Sequence, residues 1–278
     1  MRRGYTLIEI IITVTIMGIL SIGMFKALQA LTIRSEKAKA LSTLSIDSQS
    51  ALDQISVLLY NRIPMSVVGF DANETPPYQP LEIVSGKTVL QWYGTASESY
   101  EAGEYSSFID MNRSDFATKT LYTPETNLSS VLSTERIKWN DPTFDLSKMV
   151  LVFPGNTLNE YGITDSPANV ITITATAPDT IYEKYTLADS AYAITRKEHV
   201  ASCFPDPAFD GNTLLLFYNY RPWKGESLCD GNVTVLATGV NAFRAQMLNG
   251  TIRLAIDMNR SIRGSSSPVH LTKQKVVF

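Results

Sequence analysis

Histidine and cysteine are scarce in this chain, with two of each among 278 residues. No His-x-x-x-His pair, nucleophile elbow or phosphate-cradling glycine loop accompanies His199 or His270, so no catalytic constellation is evident and an enzyme is not predicted. His199 follows Arg196, Lys197 and Glu198, a setting that suits an exposed turn better than a general base. Apart from each other, Cys203 and Cys229 lack Cys or His neighbours at zinc-finger spacing, and a single disulfide is a better reading than a metal site. In an oxidising compartment it closes a loop of about 25 residues and contributes about 2–4 kcal/mol, mainly by restricting the unfolded chain.

A basic excess is also missing. Lys and Arg number 24 against 27 Asp and Glu, a net charge of −3, so the chain lacks the cationic surplus with which proteins grip a phosphate backbone, and nucleic acid is not a predicted partner. Disorder throughout is excluded by the 44% hydrophobic content, which over this length supports a packed core.

The third absence is of charge near the N-terminus. From Tyr5 to Phe25 the only charged residue is Glu9. About 20 apolar residues at 1.5 Å per residue span a hydrocarbon core of roughly 30 Å, so this is a membrane segment. Arg2 and Arg3 precede it, which keeps the N-terminus cytoplasmic and places everything after Lys26 outside. A removed signal peptide fits less well: the small-x-small triplet Ser21-Ile22-Gly23 is followed by the large apolar Met24 and Phe25. Glu9 stands out, since an acid at mid-membrane costs about 2.5–3.5 kcal/mol. Either it has a partner, or it lies only a turn inside the membrane and reaches the headgroups.

The string Arg3-Gly4-Tyr5-Thr6-Leu7-Ile8-Glu9 resembles the prepilin site of type IV pilins and type II secretion pseudopilins. The resemblance implies that a prepilin peptidase cuts between Gly4 and Tyr5 and methylates the new N-terminus. It further implies that Glu9 meets the N-terminal amine of a neighbouring subunit during assembly. An ammonium and a carboxylate attract strongly in low dielectric, whereas an unpaired Glu9 keeps its desolvation cost, so the pairing selects one register between subunits. Gly18 stands where many family members have a helix-loosening glycine. Lys26 and Tyr5 depart from the pattern of major pilins, which commonly have a proline near the first and phenylalanine at the second.

Beyond the membrane, Leu28, Leu31, Ala38, Leu41, Leu44, Ala51, Ile55 and Leu58 or Leu59 recur at helical spacings, and no proline intervenes before Pro64. One helix from Tyr5 to about Arg62 is predicted. After Pro64 the composition turns to β-branched residues, aromatics, Asn, Gly and Pro, which predicts strands at Thr88–Tyr93, Lys148–Phe153, Val170–Ala175, Thr180–Leu187, Tyr192–Arg196, Leu214–Tyr220, Val233–Ala237, Phe243–Met247 and Thr251–Met258. Asn249-Gly250 marks the last pair as a hairpin. Residues 94–147, rich in Ser, Thr, Glu and Tyr without clear periodicity, read as a long insertion with short elements, and the aromatics as packing groups. The stretch Val235 to Phe243, followed by Ile252 to Ile256, resembles the C-terminal sheet of larger minor subunits, the J-class pseudopilins and their pilus counterparts.

Two further patterns lie in this distal region. Asp206, Asp210 and Asn212, inside the Cys203–Cys229 loop, offer oxygen ligands to a hard cation such as calcium, though not at EF-hand spacing, and the same residue types build ordinary turns. The chain also has six Asn-x-Ser/Thr sequons, at Asn73, Asn112, Asn127, Asn232, Asn249 and Asn259. All but Asn249 have an acid two residues earlier, namely Asp71, Asp110, Glu125, Asp230 and Asp257, where the overall acid content predicts fewer than one such coincidence. This resembles the extended sequon of bacterial periplasmic oligosaccharyltransferases, although turns also enrich Asp, Asn, Gly and Ser together.

The sequence therefore predicts an α+β protein: a leader at residues 1–4, a membrane and filament-core helix at 5–27, an amphipathic periplasmic helix at 28–63 and a β-rich head at 64–278. The expected role is that of a minor pilin or pseudopilin in the inner membrane. Its expected partners are other pilins or pseudopilins, the prepilin peptidase and an inner-membrane assembly platform, with no cofactor other than the calcium considered above. A membrane-anchored binding protein or adhesin that never enters a filament is the competing class.

Overall fold

The structure, a computed structural model, describes residues 6–115, 117–155, 158–164, 169–174, 181–263 and 267–278. Helix α1 runs Leu7–Tyr60, about 81 Å at 1.5 Å per residue, against the predicted span of Tyr5 to Arg62. Thr6 caps its start, and the chain leaves the helix at Asn61, three residues before Pro64. Its packed face is Ala40, Leu44, Ser48, Ala51, Leu52, Ile55 and Leu59, at spacings that keep one stripe inward. Leu28, Leu31 and Leu41 were expected on that stripe but are 52%, 60% and 42% exposed. The head covers α1 only from the Ala40 turn onward, so the helix stands free for more of its length than its apolar spacing suggests.

A ten-stranded antiparallel sheet forms the body of the head. Its main path runs β2 (Gln79–Pro80), β1 (Val68–Phe70), β3 (Val89–Thr95), β8 (Thr186–Arg196), β5 (Val150–Phe153), β6 (Asn159–Thr164), β7 (Val170–Ile173) and β4 (Thr120–Tyr122). One edge of β8 pairs with β3; the other is divided, Thr186–Ala188 meeting β5 and Ala191–Arg196 meeting β9 (Leu214–Tyr220), which pairs in turn with β10 (Asn232–Ala237). A second antiparallel sheet of β11 (Val240–Leu248), β12 (Thr251–Arg260) and β13 (Val269–Val277) lies on the distal half of α1. The predicted hairpin joins β11 to β12, with Asn249 and Gly250 at φ 50° and 76°, the left-handed pair that a two-residue turn of this twist requires.

Three apolar clusters fill the head. The first joins α1 to the second sheet and one face of the first, through Leu44, Leu52, Ile55 and Leu59 against Trp92, Ile252, Leu254, Ile256 and Met258. Another gathers Leu128, Val131, Phe144, Leu151 and Tyr185 beneath β4 to β7, and the last holds Phe70, Val150, Phe217 and Tyr220 on the opposite face of the large sheet.

The structure corrects several sequence expectations. Of the predicted strand Thr180–Leu187 only Thr186 and Leu187 are strand: they open β8, which runs on without a break through the predicted Tyr192–Arg196, while residues 181–185 precede it and residue 180 lies outside the described residues, as does residue 175 of another prediction. The polar Asp189-Ser190 looks like a break but forms a β-bulge: Gly94 faces Ser190 and Thr95 faces Ala188, leaving Asp189 as the extra residue. Gly94 is required there, because a Cβ would lie 2.4 Å from the Tyr192 ring. Strand β13 was not predicted. Its inward positions include Lys273 and Lys275, whose ammonium groups reach α1 at the Ser45 carbonyl (2.8 Å) and the Asp53 carboxylate (2.6 Å). Residues 94–147 do contain short elements, α2 (Ser97–Glu101) and β4, but also a full helix, α3 (Leu128–Trp139), capped by Asn127. Its buried face is Leu128, Val131 and Glu135, and the acid on that face breaks the apolar pattern.

Candidate functional site

Helix α1 carries the candidate site at its exposed end. Every large apolar side chain from Leu7 to Phe25 is more than half exposed, on all sides of the helix. Such a surface is unfavourable in water and needs lipid or other helices around it. The 18-residue apolar window in this helix is long and hydrophobic enough to cross a membrane, and none of it is buried against the head.

The polar groups of this segment are satisfied from within. Thr13, Thr15 and Ser21 donate their hydroxyls to the carbonyls of Glu9, Ile11 and Met17 at 2.7–2.8 Å. A hydroxyl bonded back four residues presents little polarity to lipid or to a neighbouring helix. Glu9 is the exception in charge but not in bonding: its carboxylate accepts from the Thr6 backbone N–H at 3.1 Å and the Thr6 hydroxyl at 3.2 Å. Thr6 and Glu9 thus form a capping box on the first turn, where the helix N-terminus favours negative charge. Gly4 and Tyr5, the sequence-predicted cleavage and methylation residues, lie outside the described residues.

The head shows mostly structural chemistry. Cys203 and Cys229 are joined as a disulfide with Cα atoms 4.9 Å apart, bracketing β9. The Asp206 carboxylate accepts from Ala208 N at 2.9 Å and that of Asp210 from Asn212 N at 3.0 Å, so both acids fold tight turns. Lys197 enters the same loop and donates its ammonium to the Asp206 and Phe209 carbonyls. Among the described residues no three His, Cys, Asp or Glu side chains converge as metal ligands. Of the sequon asparagines, Asn73, Asn112, Asn127, Asn232 and Asn249 are exposed and Asn259 is half-buried.

Sequence reasoning missed a buried ionic cluster. Lys138 on α3 donates to Asp189 on the β8 bulge and to Glu98 on α2, both at 2.6 Å, while Glu135 accepts from the Ser99 hydroxyl at 3.0 Å. Burial, followed by the neighbouring Asp189 charge, pushes the Glu135 carboxyl up to about 9, so it is protonated at neutral pH. Burial opposes the charge on Lys138, but the Asp189 and Glu135 carboxyls hold its pKa above the ordinary lysine range. The cluster ties both short helices to the sheet. A groove of about 850 Å³ beside the end of α1 is lined by Tyr60, Arg62, Tyr100, Tyr105, Phe108 and Lys184 among others.

Taken together, a free apolar helix on an α+β head is a pilin-like architecture and fits a membrane-anchored protein. Residues 1–25 match the prokaryotic N-terminal methylation motif, so the chain carries the signature of type IV pilins and pseudopilins. That signature implies assembly with other such subunits. Comparison with curated proteins and with solved structures gives no match.

Proposed function

We propose that the chain is a minor pilin or pseudopilin, a structural subunit that initiates, caps or decorates a type IV pilus-like filament of a secretion, pilus or DNA-uptake system. The observation that supports this best is the exposed segment Leu7–Phe25 of α1: apolar on every side, internally satisfied in its hydroxyls, and marked by one carboxylate within the methylation motif. The precursor rests in the inner membrane with a cytoplasmic N-terminus and a periplasmic head. Prepilin peptidase cuts after Gly4 and methylates Tyr5.

On extraction by the assembly platform, the surface that faced lipid is buried against neighbouring helices. Glu9 then exchanges its Thr6 contacts for the Tyr5 amine of an adjacent subunit, and the cost of leaving that charge unpaired fixes the register. Chain length, Lys26 and the separate β11–β13 sheet favour a minor over a major subunit. Mass spectrometry of the chain from its native membranes and from sheared filaments tests the reading. The expected species begins at Tyr5, carries one N-terminal methyl group and is present in both fractions; a chain that begins at Met1 in both contradicts it.

A further inference from the structure

We propose that Asn73 carries an N-linked glycan, added outside the cytoplasm by transfer from a lipid-linked oligosaccharide. The inference rests on the topology in the reading above. Its first support is the sequence pattern: Asp71-Ala72-Asn73-Glu74-Thr75 is one of the five sequons with an acid two residues ahead.

The structure separates these five. Asn259 lies half-buried in β12, the central strand of its sheet, hydrogen-bonded through its backbone to Gly239. Asn232 is committed to β10, paired with Tyr218. The Asn127 side chain accepts from Ser130 N as the cap of α3, and its own N–H donates to the Glu104 carbonyl at 2.7 Å. At Asn112, the Ser114 hydroxyl that completes the sequon is held between the Asp110 carbonyl and Tyr122 N, at 2.7 and 2.9 Å. Each of these needs its element opened before a transferase can thread the acceptor.

The segment around Asn73 differs. It connects β1 to β2, and every residue from Ala72 to Pro77 is exposed. Its base is anchored by the Asp71 carboxylate, which accepts from Lys87 at 3.0 Å and from the Thr88 hydroxyl at 3.0 Å, so the acceptor projects from a fixed foot. Asp71 already faces a cationic partner: one of its oxygens accepts from Lys87, which also holds Glu74, and the other from Thr88, so docking exchanges the Lys87 contacts for a basic group of the transferase. In the transfer, the Asn73 side-chain nitrogen bonds to the anomeric carbon of the donor sugar as the bond from that carbon to phosphate breaks. One amide proton leaves to a base, and the polyisoprenoid pyrophosphate departs. Asn249 is an internal control, being exposed at the β11–β12 turn but with Met247 in the place of the acid.

Intact-mass and glycopeptide analysis of the full chain from its native membranes tests the proposal. The wild-type chain should be heavier than its sequence by a glycan located on Asn73 and not on Asn249. Asn73→Gln and Thr75→Ala should each lose one glycan, and Thr75→Ser should keep it. An unmodified Asn73, or a glycan mass that does not fall in Asn73→Gln, overturns it. The same spectrum shows whether residues 1–4 have been removed, so a processed chain without glycan refutes this inference and leaves the filament reading intact.

Discussion

Thr6 and Glu9 cap one another: the carboxylate accepts from the Thr6 N–H and hydroxyl, while Thr6 Oγ1 accepts from Glu9 N at 3.4 Å. An acid inside an apolar segment is thereby held at the N-terminal end of its own helix by Thr6, the neighbour in sequence of the residue expected to become the mature amine. A single subunit therefore has a hydrogen-bonded carboxylate before it meets a neighbour, but only neutral groups hold it, so a neighbour's amine adds the missing countercharge.

Thr6→Val keeps the β-branched shape and removes the hydroxyl. It should weaken the first turn by about 1 kcal/mol. Amide exchange of Glu9 and Ile10 in detergent should quicken, with cleavage after Gly4 unchanged. Unaltered exchange would mean that the cap contributes nothing.

Docking of α1 on the head depends on the inner stripe. Ile55→Ala, at a fully buried position, should cost about 2–4 kcal/mol in denaturant unfolding, whereas Val57→Ala, 69% exposed, should stay within about 0.5 kcal/mol. Equal effects would contradict the packing described.

The pairing of helix and head was partly legible in sequence, because Leu44, Ala51, Ile55 and Leu59 keep helical spacing and Asn249-Gly250 announces its hairpin. Several of the illegible parts share one cause, which is polar residues at inward positions. Glu135 sits on the inner face of α3, Asp189 in the middle of β8, and Lys273 and Lys275 on the inner side of β13. Each has a partner distant in the chain, so local patterning registers a break where the fold has continuity. At the candidate site, the membrane segment and Glu9 were readable as sequence, while the Thr6 capping box was not anticipated.

Glu135 gives the head a pH dependence of definite sign. Folding raises its pKa from 4.5 to about 9, so the folded chain retains a proton that the unfolded chain releases above its ordinary value. Its contribution is fully present below pH 4.5 and declines as pH rises towards 9. Glu135→Gln, which can still accept from Ser99, should raise the melting temperature by roughly 3 °C at pH 8 and leave it unchanged near pH 4. A variant less stable than wild type at pH 8 would contradict this assignment.

The disulfide closes a loop with a sequence separation of 26. Cys203→Ala combined with Cys229→Ala should lower the unfolding free energy by about 2–4 kcal/mol in denaturant titration while the pattern of strands persists. Wild-type stability in the double variant would show that the link is dispensable.

The proposed role of Glu9 in assembly is measured most directly by the incorporation of Glu9→Ala into filaments. Expressed beside its partner subunits, the variant should be cleaved after Gly4, accumulate in the membrane at the wild-type level, and be missing from the sheared filament fraction. Incorporation at the wild-type level would contradict the account and favour an anchored binding protein whose helix serves only the membrane.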